Sequence, residues 1–231
     1  MLKIAVEAEE RLGAALMIWW NGEGAARVLE HDGDALLMER AIGDASLVEM
    51  ARNGCDDQSS RILCAAATTL HLPRDCPPPP TILPLSHWFR ALDPAASRFG
   101  GIWELAAATA RELLAEPQEV VVLHGDIHHG NILDAGPRGW LAIDPKGLVG
   151  ERGFDFANIF CNPDLKIAVG PGRLARQASV VAEAASLDRT RLLKWVLAYA
   201  GLSAAWTLED GEWPELALAV AELAASEFAS P

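Results

Sequence analysis

Residues 124 to 146 read H-G-D-I-H-H-G-N-I-L-D-A-G-P-R-G-W-L-A-I-D-P-K, and this stretch constrains the fold more than any other in the chain. Asp126 stands where a residue that orients a substrate hydroxyl is needed. Five residues on, Asn131 offers an amide oxygen, and after a short apolar ribbon Asp144 offers a carboxylate. That is the pair of hard oxygen ligands taken by a magnesium ion bridging nucleotide phosphates. The order H-x-D-x(4)-N, hairpin, D is the logic of a phosphoryl-transfer catalytic loop, with Gly125 in place of the Arg of H-R-D.

The same window has a second reading, in which His124, Asp126, His128 and His129 bind two metals in a hydrolase. It leaves Asn131 and the second acidic ribbon without a task, and the other histidines, His31, His71 and His87, all lie upstream. A purely structural turn is the third reading.

At 231 residues and 51% hydrophobic, the chain can bury a substantial core as one large domain or two small lobes. Its 19 basic and 32 acidic residues give a formal charge of −13, which repels nucleic acid and anionic membrane and favours cationic small molecules. Cys55, Cys64, Cys76 and Cys161 show no C-x-x-C and no close metal spacing, as expected of reduced thiols in a cytoplasmic protein. The apolar run Trp195 to Leu208 is fourteen residues long, too short for a spanning helix, and no signal core is evident at the N-terminus.

Met1 to Val6 reads as a short strand, and Glu7 to Trp20 as a helix with Ala8, Leu12, Ala15, Leu16 and Trp19 at helical spacing. Strands at 25–30 and 35–40 flank a hairpin signal, Asp32-Gly33. Helical segments follow at 45–53, 56–71, 84–92 and 95–115, with Asp56 a candidate cap, and Pro77 to Pro80 form an extended connector. Strands are expected at 119–123, 131–134 and 139–143. Three helices close the chain at 172–186, 188–206 and 213–228, with Pro171 and Asp188 near their starts.

H-G-D-I-H-H-G-N-I-L followed by R-G-W-L-A-I-D-P-K-G-L-V-G-E-R-G-F-D-F-A-N-I-F resembles the aminoglycoside phosphotransferases, specifically the streptomycin 6-kinase group, also called aminoglycoside/hydroxyurea antibiotic resistance kinases. W-W-N-G-E-G-A-A-R-V-L at 19–29, A-L-L-M-E-R-A at 35–41 and A-Y-A-G-L-S-A-A-W at 198–206 extend the likeness over nearly the whole chain. The resemblance implies an α+β, protein-kinase-like bilobal fold. Residues 1–41 would form a truncated N-lobe of three strands and one helix, and 42–231 a mainly helical C-lobe.

It implies an ATP- and Mg2+-dependent kinase for a hydroxyl of a cationic aminoglycoside such as streptomycin. Asp126 would be catalytic, and Asn131 and Asp144 the metal ligands. Lys3, held by Glu10, would grip the α- and β-phosphates, with Glu7 and Glu9 as neighbouring candidates for its partner. Glu39 to Ala41 would be the hinge whose backbone bonds adenine, so that side-chain identity there matters little, with Met38 beside the base or in the core. Asp155 is expected to fix the catalytic loop, and Glu151 to shape the cleft. Lys146 stands where protein kinases place glycine, and either meets a phosphate or forms a salt bridge. Glu209, Asp210 and Glu212 are candidate substrate carboxylates or a solvated charge run, and the eight tryptophans are candidate stacking surfaces or core.

The pattern carries two strands and a phosphate-covering loop before its lysine strand, whereas here the lysine is residue 3. The remaining sheet would have an exposed apolar edge, which a homodimer could cover. A kinase for another small alcohol or a hydroxyurea-like acceptor, and a catalytically silent binding relative, are the alternatives.

Overall fold

A computed structural model describes residues 1–6 and 8–229; Glu7, named above with the first helix, and residues 230 and 231 lie outside it. Strands β1 (Leu2–Ile4), β2 (Val28–Asp32) and β3 (Ala35–Met38) form an antiparallel sheet in the order β1-β3-β2. Asp32 pairs with Ala35, so Gly33 and Asp34 make the two-residue turn, and Gly33 supplies the positive φ such turns need. Helix α1 (Ala8–Trp20) buries Leu16, Met17 and Trp20, with Met17 beside Leu36 and Met38 of this sheet and the Trp20 ring stacked on His124 at 6.0 Å.

The strand expected at 25–30 begins only at Val28. Residues 24 to 26 are captured by a different partner: Ala142 N–H donates to Gly24 O, and Ala26 N–H to Ala142 O. This seam ties the segment after α1 to the strand that leads into Asp144.

Helices α2 (Leu47–Arg52) and α3 (Asp56–Leu70) follow, then the extended Pro77–Pro80 connector. Asp56 does not cap α3, because Cys55 occupies the cap position. Its buried carboxylate instead takes Arg173 Nε at 2.8 Å and Nη2 at 3.1 Å. The helix expected at 84–92 is a 3-10 segment, Leu85–Ala91, preceded by the two-residue strand β4 (Leu83–Pro84). The single helix expected at 95–115 is two, α4 (Leu92–Phe99) and α5 (Ile102–Ala115). Gly100 and Gly101 both take positive φ there, which ends one helix and redirects the next.

Strand β5 (Val120–Leu123) leads into the catalytic-loop sequence, β6 (Ile132–Asp134) and β7 (Trp140–Ala142) form a hairpin behind it, and β8 (Leu148–Glu151) returns beside β5. A long 3-10 segment, Arg152–Cys161, packs beneath. Short α6 (Leu165–Ala168) precedes α7 (Arg173–Ala185), α8 (Arg189–Glu209) and α9 (Glu215–Ala229). Asp188 caps α8 by accepting from Arg191 N–H at 2.7 Å. The apolar run noted in the sequence is the buried middle of α8. At Gly201 a Cβ would stand 2.4 Å from Ala106 Cβ, so glycine lets α5 and α8 approach closely. Among the described residues no helix is long and apolar enough to cross a membrane.

Candidate active site

Asp155 is 1% exposed and organises the turn after β5. One of its oxygens accepts from His124 N–H at 2.9 Å and from His71 Nε2 at 2.7 Å, and the other from Gly125 N–H at 2.7 Å. Gly125 has φ +86°, so two successive amides point at one carboxylate. The His124 ring completes the turn, accepting from Asp126 N–H at Nδ1 (3.1 Å) and donating from Nε2 to Ile143 O (2.9 Å). Burial holds its pKa below 6.5, against the charges of Asp155 and Asp126. With both ring nitrogens engaged, His124 cannot be a metal ligand, which removes one member of the hydrolase set.

Asp126 is thereby presented with its carboxylate fixed from two sides. Asn158 Nδ2 donates to Oδ1 at 2.8 Å, and Asn131 Nδ2 to Oδ2 at 3.1 Å and to the Asp126 carbonyl at 2.9 Å. Because the Asn131 nitrogen faces Asp126, its Oδ1 is the atom left for a ligand. Ile143 N–H donates to Asn131 O at 2.9 Å, and this joins the loop to the strand that delivers Asp144.

Asp144 has φ +60°, a conformation uncommon for a non-glycine residue. Lys3 Nζ hydrogen-bonds its Oδ1 and lies 3.3 Å from Glu10 Oε1; Lys146 Nζ lies 3.5 Å from its Oδ2 and 3.7 Å from Asp126 Oδ2. Burial alone would raise the Asp144 pKa, but the hydrogen bond from Lys3 and the charges of Lys146 and Lys3 bring it below 3.8. The structure therefore links Lys3, Glu10, Asp126, Asn131 and Asp144 in one chain of contacts, with Lys146 reaching both Asp126 and Asp144.

Glu39 departs from expectation. Its carboxylate accepts from Arg27 N–H at 2.6 Å and pairs with Arg138, while its own N–H donates to Arg27 O at 2.9 Å. That side chain braces the segment, so its identity matters. The Ala41 N–H has no hydrogen-bond partner among the described residues. Met38 is buried, on the wall of a narrow crevice shared with Lys3, Glu10, Met17 and Asp144.

On the other side of Asp126 opens a cleft of about 480 Å³, lined by Trp88, Gly125, Lys146, Tyr199, Trp206, Glu209 and Asp210. The Trp88 and Trp206 rings meet edge to face at 5.0 Å. Glu209 and Asp210 sit at the C-terminus of α8, whose dipole already places negative charge there. Two carboxylates in that position repel the helix end, and a bound cation would relieve both. Glu212 is not on this wall, and Glu151 lies elsewhere, holding Arg191 at 2.6 Å and Trp195 Nε1 at 2.7 Å. His128 Nε2 is 3.8 Å from Asp126 Oδ2, whereas His129 is buried with neither ring nitrogen bonded among the described residues.

Of the tryptophans held as candidate stacking surfaces, Trp88 and Trp206 reach the cleft, whereas His71, Asn158 and Tyr199 were not distinguished by the sequence as site residues. None carries a local signal: His71 ends α3, and Asn158 lies inside a 3-10 segment.

The profile of the aminoglycoside/hydroxyurea antibiotic resistance kinases matches residues 1–211. The chain is 50% identical to streptomycin 3''-kinase of Klebsiella pneumoniae, with 91% of this chain and 80% of that protein aligned. It is 33% identical to streptomycin 6-kinase of Streptomyces griseus, with 91% and 71% aligned. Aminoglycoside phosphotransferase APH(3'')-Id of Streptomyces rimosus, solved with ADP and streptomycin, superposes with a TM-score of 0.58 at 18% identity, over 87% of this chain and 85% of that one. The chain belongs to the aminoglycoside/hydroxyurea antibiotic resistance kinase family and is a small-molecule phosphotransferase of protein-kinase-like fold.

Proposed function

We propose that this protein transfers the terminal phosphoryl group of ATP to a hydroxyl of streptomycin. The observation that carries the reading is Asp126, held by two amides between the Asp144 cluster and an acidic, tryptophan-lined cleft. That cleft suits a substrate bearing guanidinium groups, by charge at Glu209 and Asp210 and by the aromatic lining of Trp88 and Trp206. The greater identity to a 3''-kinase than to a 6-kinase favours the 3''-hydroxyl.

Asn131 Oδ1 and Asp144 fit a magnesium ion, being hard oxygen donors that leave the other positions to phosphates and water. Magnesium, when bound, neutralises charge on the phosphates. Lys3, oriented by Glu10, binds the inner phosphates, and the Glu39 carbonyl and Ala41 N–H border the adenine. Asp126 orients the acceptor hydroxyl and takes its proton as the new P–O bond forms and ADP leaves. In this reading residues 1–41 and 42–231 are the two lobes, with the hinge between them. Leu2 and Ile4, exposed on edge strand β1, offer a second copy a surface. Four free cysteines and dependence on ATP fit a cytoplasmic setting.

The test is ADP release with streptomycin, hydroxyurea, choline and simple sugars as acceptors. Turnover should require streptomycin and magnesium. In Asp126→Ala it should fall by at least about 10²-fold, with nucleotide affinity kept. Full activity in that variant, or equal rates with every acceptor, would refute the reading.

A further inference from the structure

We propose that Lys146 is a catalytic residue of this transfer, its ammonium binding the terminal phosphoryl group as it passes from nucleotide to acceptor. The proposal rests on the kinase reading above and adds a role to its site. Lys146 Nζ stands 3.7 Å from Asp126 and 3.5 Å from Asp144, so it lies between the residue assigned to the attacking hydroxyl and one assigned to the metal.

A salt bridge made for stability does not account for this placement. Both carboxylates already have other partners: Asp126 accepts from Asn131 and Asn158, and Asp144 from Lys3. The two lysines also face different spaces. Lys3 lines the crevice with Glu10 and Met17, whereas Lys146 lines the acceptor cleft with Asp126, Tyr199 and Trp206. A lysine on the wall of a cleft suited to a cation would repel its substrate. The position becomes favourable when an anion lies between them, and the transferred phosphoryl is that anion.

The backbone holds the residue there. Lys146 N–H donates to His124 O at 2.7 Å, which fixes it to the catalytic turn. Gly147 follows at φ +68°, where a Cβ would come within 2.8 Å of Leu12. A pre-aimed point charge of this kind stabilises the charge on the equatorial oxygens without reorganising. In the step, the acceptor oxygen bonds to the γ-phosphorus, the bond from that phosphorus to the β,γ-bridging oxygen breaks, and the acceptor proton goes to Asp126. Lys146 keeps its own protons throughout.

The experiment compares Lys146→Met and Lys146→Gln with the parent protein, using calorimetry with ADP and with the non-hydrolysable analogue AMP-PNP, both with magnesium, alongside streptomycin turnover and thermal melts. The kcat should fall about 10²- to 10³-fold. The KM for streptomycin should stay within about threefold, since the ammonium contacts the transferred phosphoryl group and not the acceptor. AMP-PNP affinity should drop about tenfold with ADP affinity unchanged, because only the analogue carries the γ-position. Equal losses for ADP and AMP-PNP, or a lowered melting temperature with near-normal kcat, would overturn the assignment. Should the parent protein prove inert towards streptomycin, the acceptor reading fails, and the contrast between the two nucleotides still decides the role of Lys146.

Discussion

Asp155 offers the sharpest test of how the fold holds the catalytic turn. Its carboxylate is buried and receives three donors, the amides of His124 and Gly125 and the His71 ring. Truncation to alanine leaves all three without their acceptor. Each buried donor so stranded costs about 1–3 kcal/mol, and water entering the vacated space recovers part of the total. The expected loss is about 3–5 kcal/mol, the range found when one partner of a buried charged pair is removed. With an m-value of about 2 kcal/mol/M, the urea midpoint should drop by roughly 1.5–2.5 M.

Activity should suffer separately from stability, because the two amides belong to the residues directly before Asp126. A displacement of about 1 Å at a reacting group is enough to cost 10²-fold in rate, so kcat should fall by that order under conditions where the variant is still folded. Asp155→Asn retains one acceptor oxygen but turns an NH2 toward at least one donor, and should fall between parent and alanine on both measures. Tryptophan fluorescence in urea and steady-state kinetics give the two readouts. A midpoint within about 0.5 M of the parent, together with an unchanged kcat, would refute the claim that this carboxylate holds the loop.

Two further outcomes follow from the site. Glu209→Gln combined with Asp210→Asn should raise the KM for streptomycin by about 3- to 30-fold and leave the KM for ATP alone, since exposed charge pairs contribute up to about 1 kcal/mol each; an unchanged streptomycin KM in steady-state assays removes the acidic rim from substrate binding. His124 should make the protein acid-sensitive. Its folded pKa lies below the 6.5 of the unfolded chain because of burial, so below that pH the unfolded state binds the extra proton. Its contribution is complete above pH 6.5 and is lost as pH falls further, with a slope of up to about 1.4 kcal/mol per pH unit. Urea midpoints between pH 7.5 and 5.5 should show a shallower slope in His124→Gln, and identical slopes would contradict the buried neutral ring.

That Lys3, Asp126, Asn131 and Asp144 come together was legible in the sequence, because the catalytic-loop pattern sets the types and order of these groups. Asp188 was legible because a cap acts within three residues. What the sequence withheld acts over long range. His71 reaches Asp155 across 84 positions, and Asn158 reaches Asp126 across 32. Asp56 shows the competition directly: an acid at a helix start resembles a cap worth about 1 kcal/mol, yet a buried guanidinium 117 residues away offers two charge-assisted bonds and wins. Phe99, Ile102, Trp103 and Ala106 keep helical spacing across Gly100-Gly101, but both glycines take positive φ and break α4 from α5.

The two departures from the kinase pattern, Gly125 for arginine and Lys146 for glycine, looked independent in the sequence. In the structure a Cβ on residue 125 would stand 3.0 Å from Lys146 Cβ and 3.0 Å from Leu148 Cδ1, at a φ of +86° that disfavours any side chain. Glycine at 125 therefore clears the space that the lysine stem occupies beside the catalytic turn. A side chain at 125 would press on the Lys146 stem and on Leu148, and one of them would have to shift by a few tenths of an ångström. The two positions are therefore in physical contact, and Gly125→Ala should disturb the Lys146 stem beside the catalytic turn as well as strain the backbone at 125.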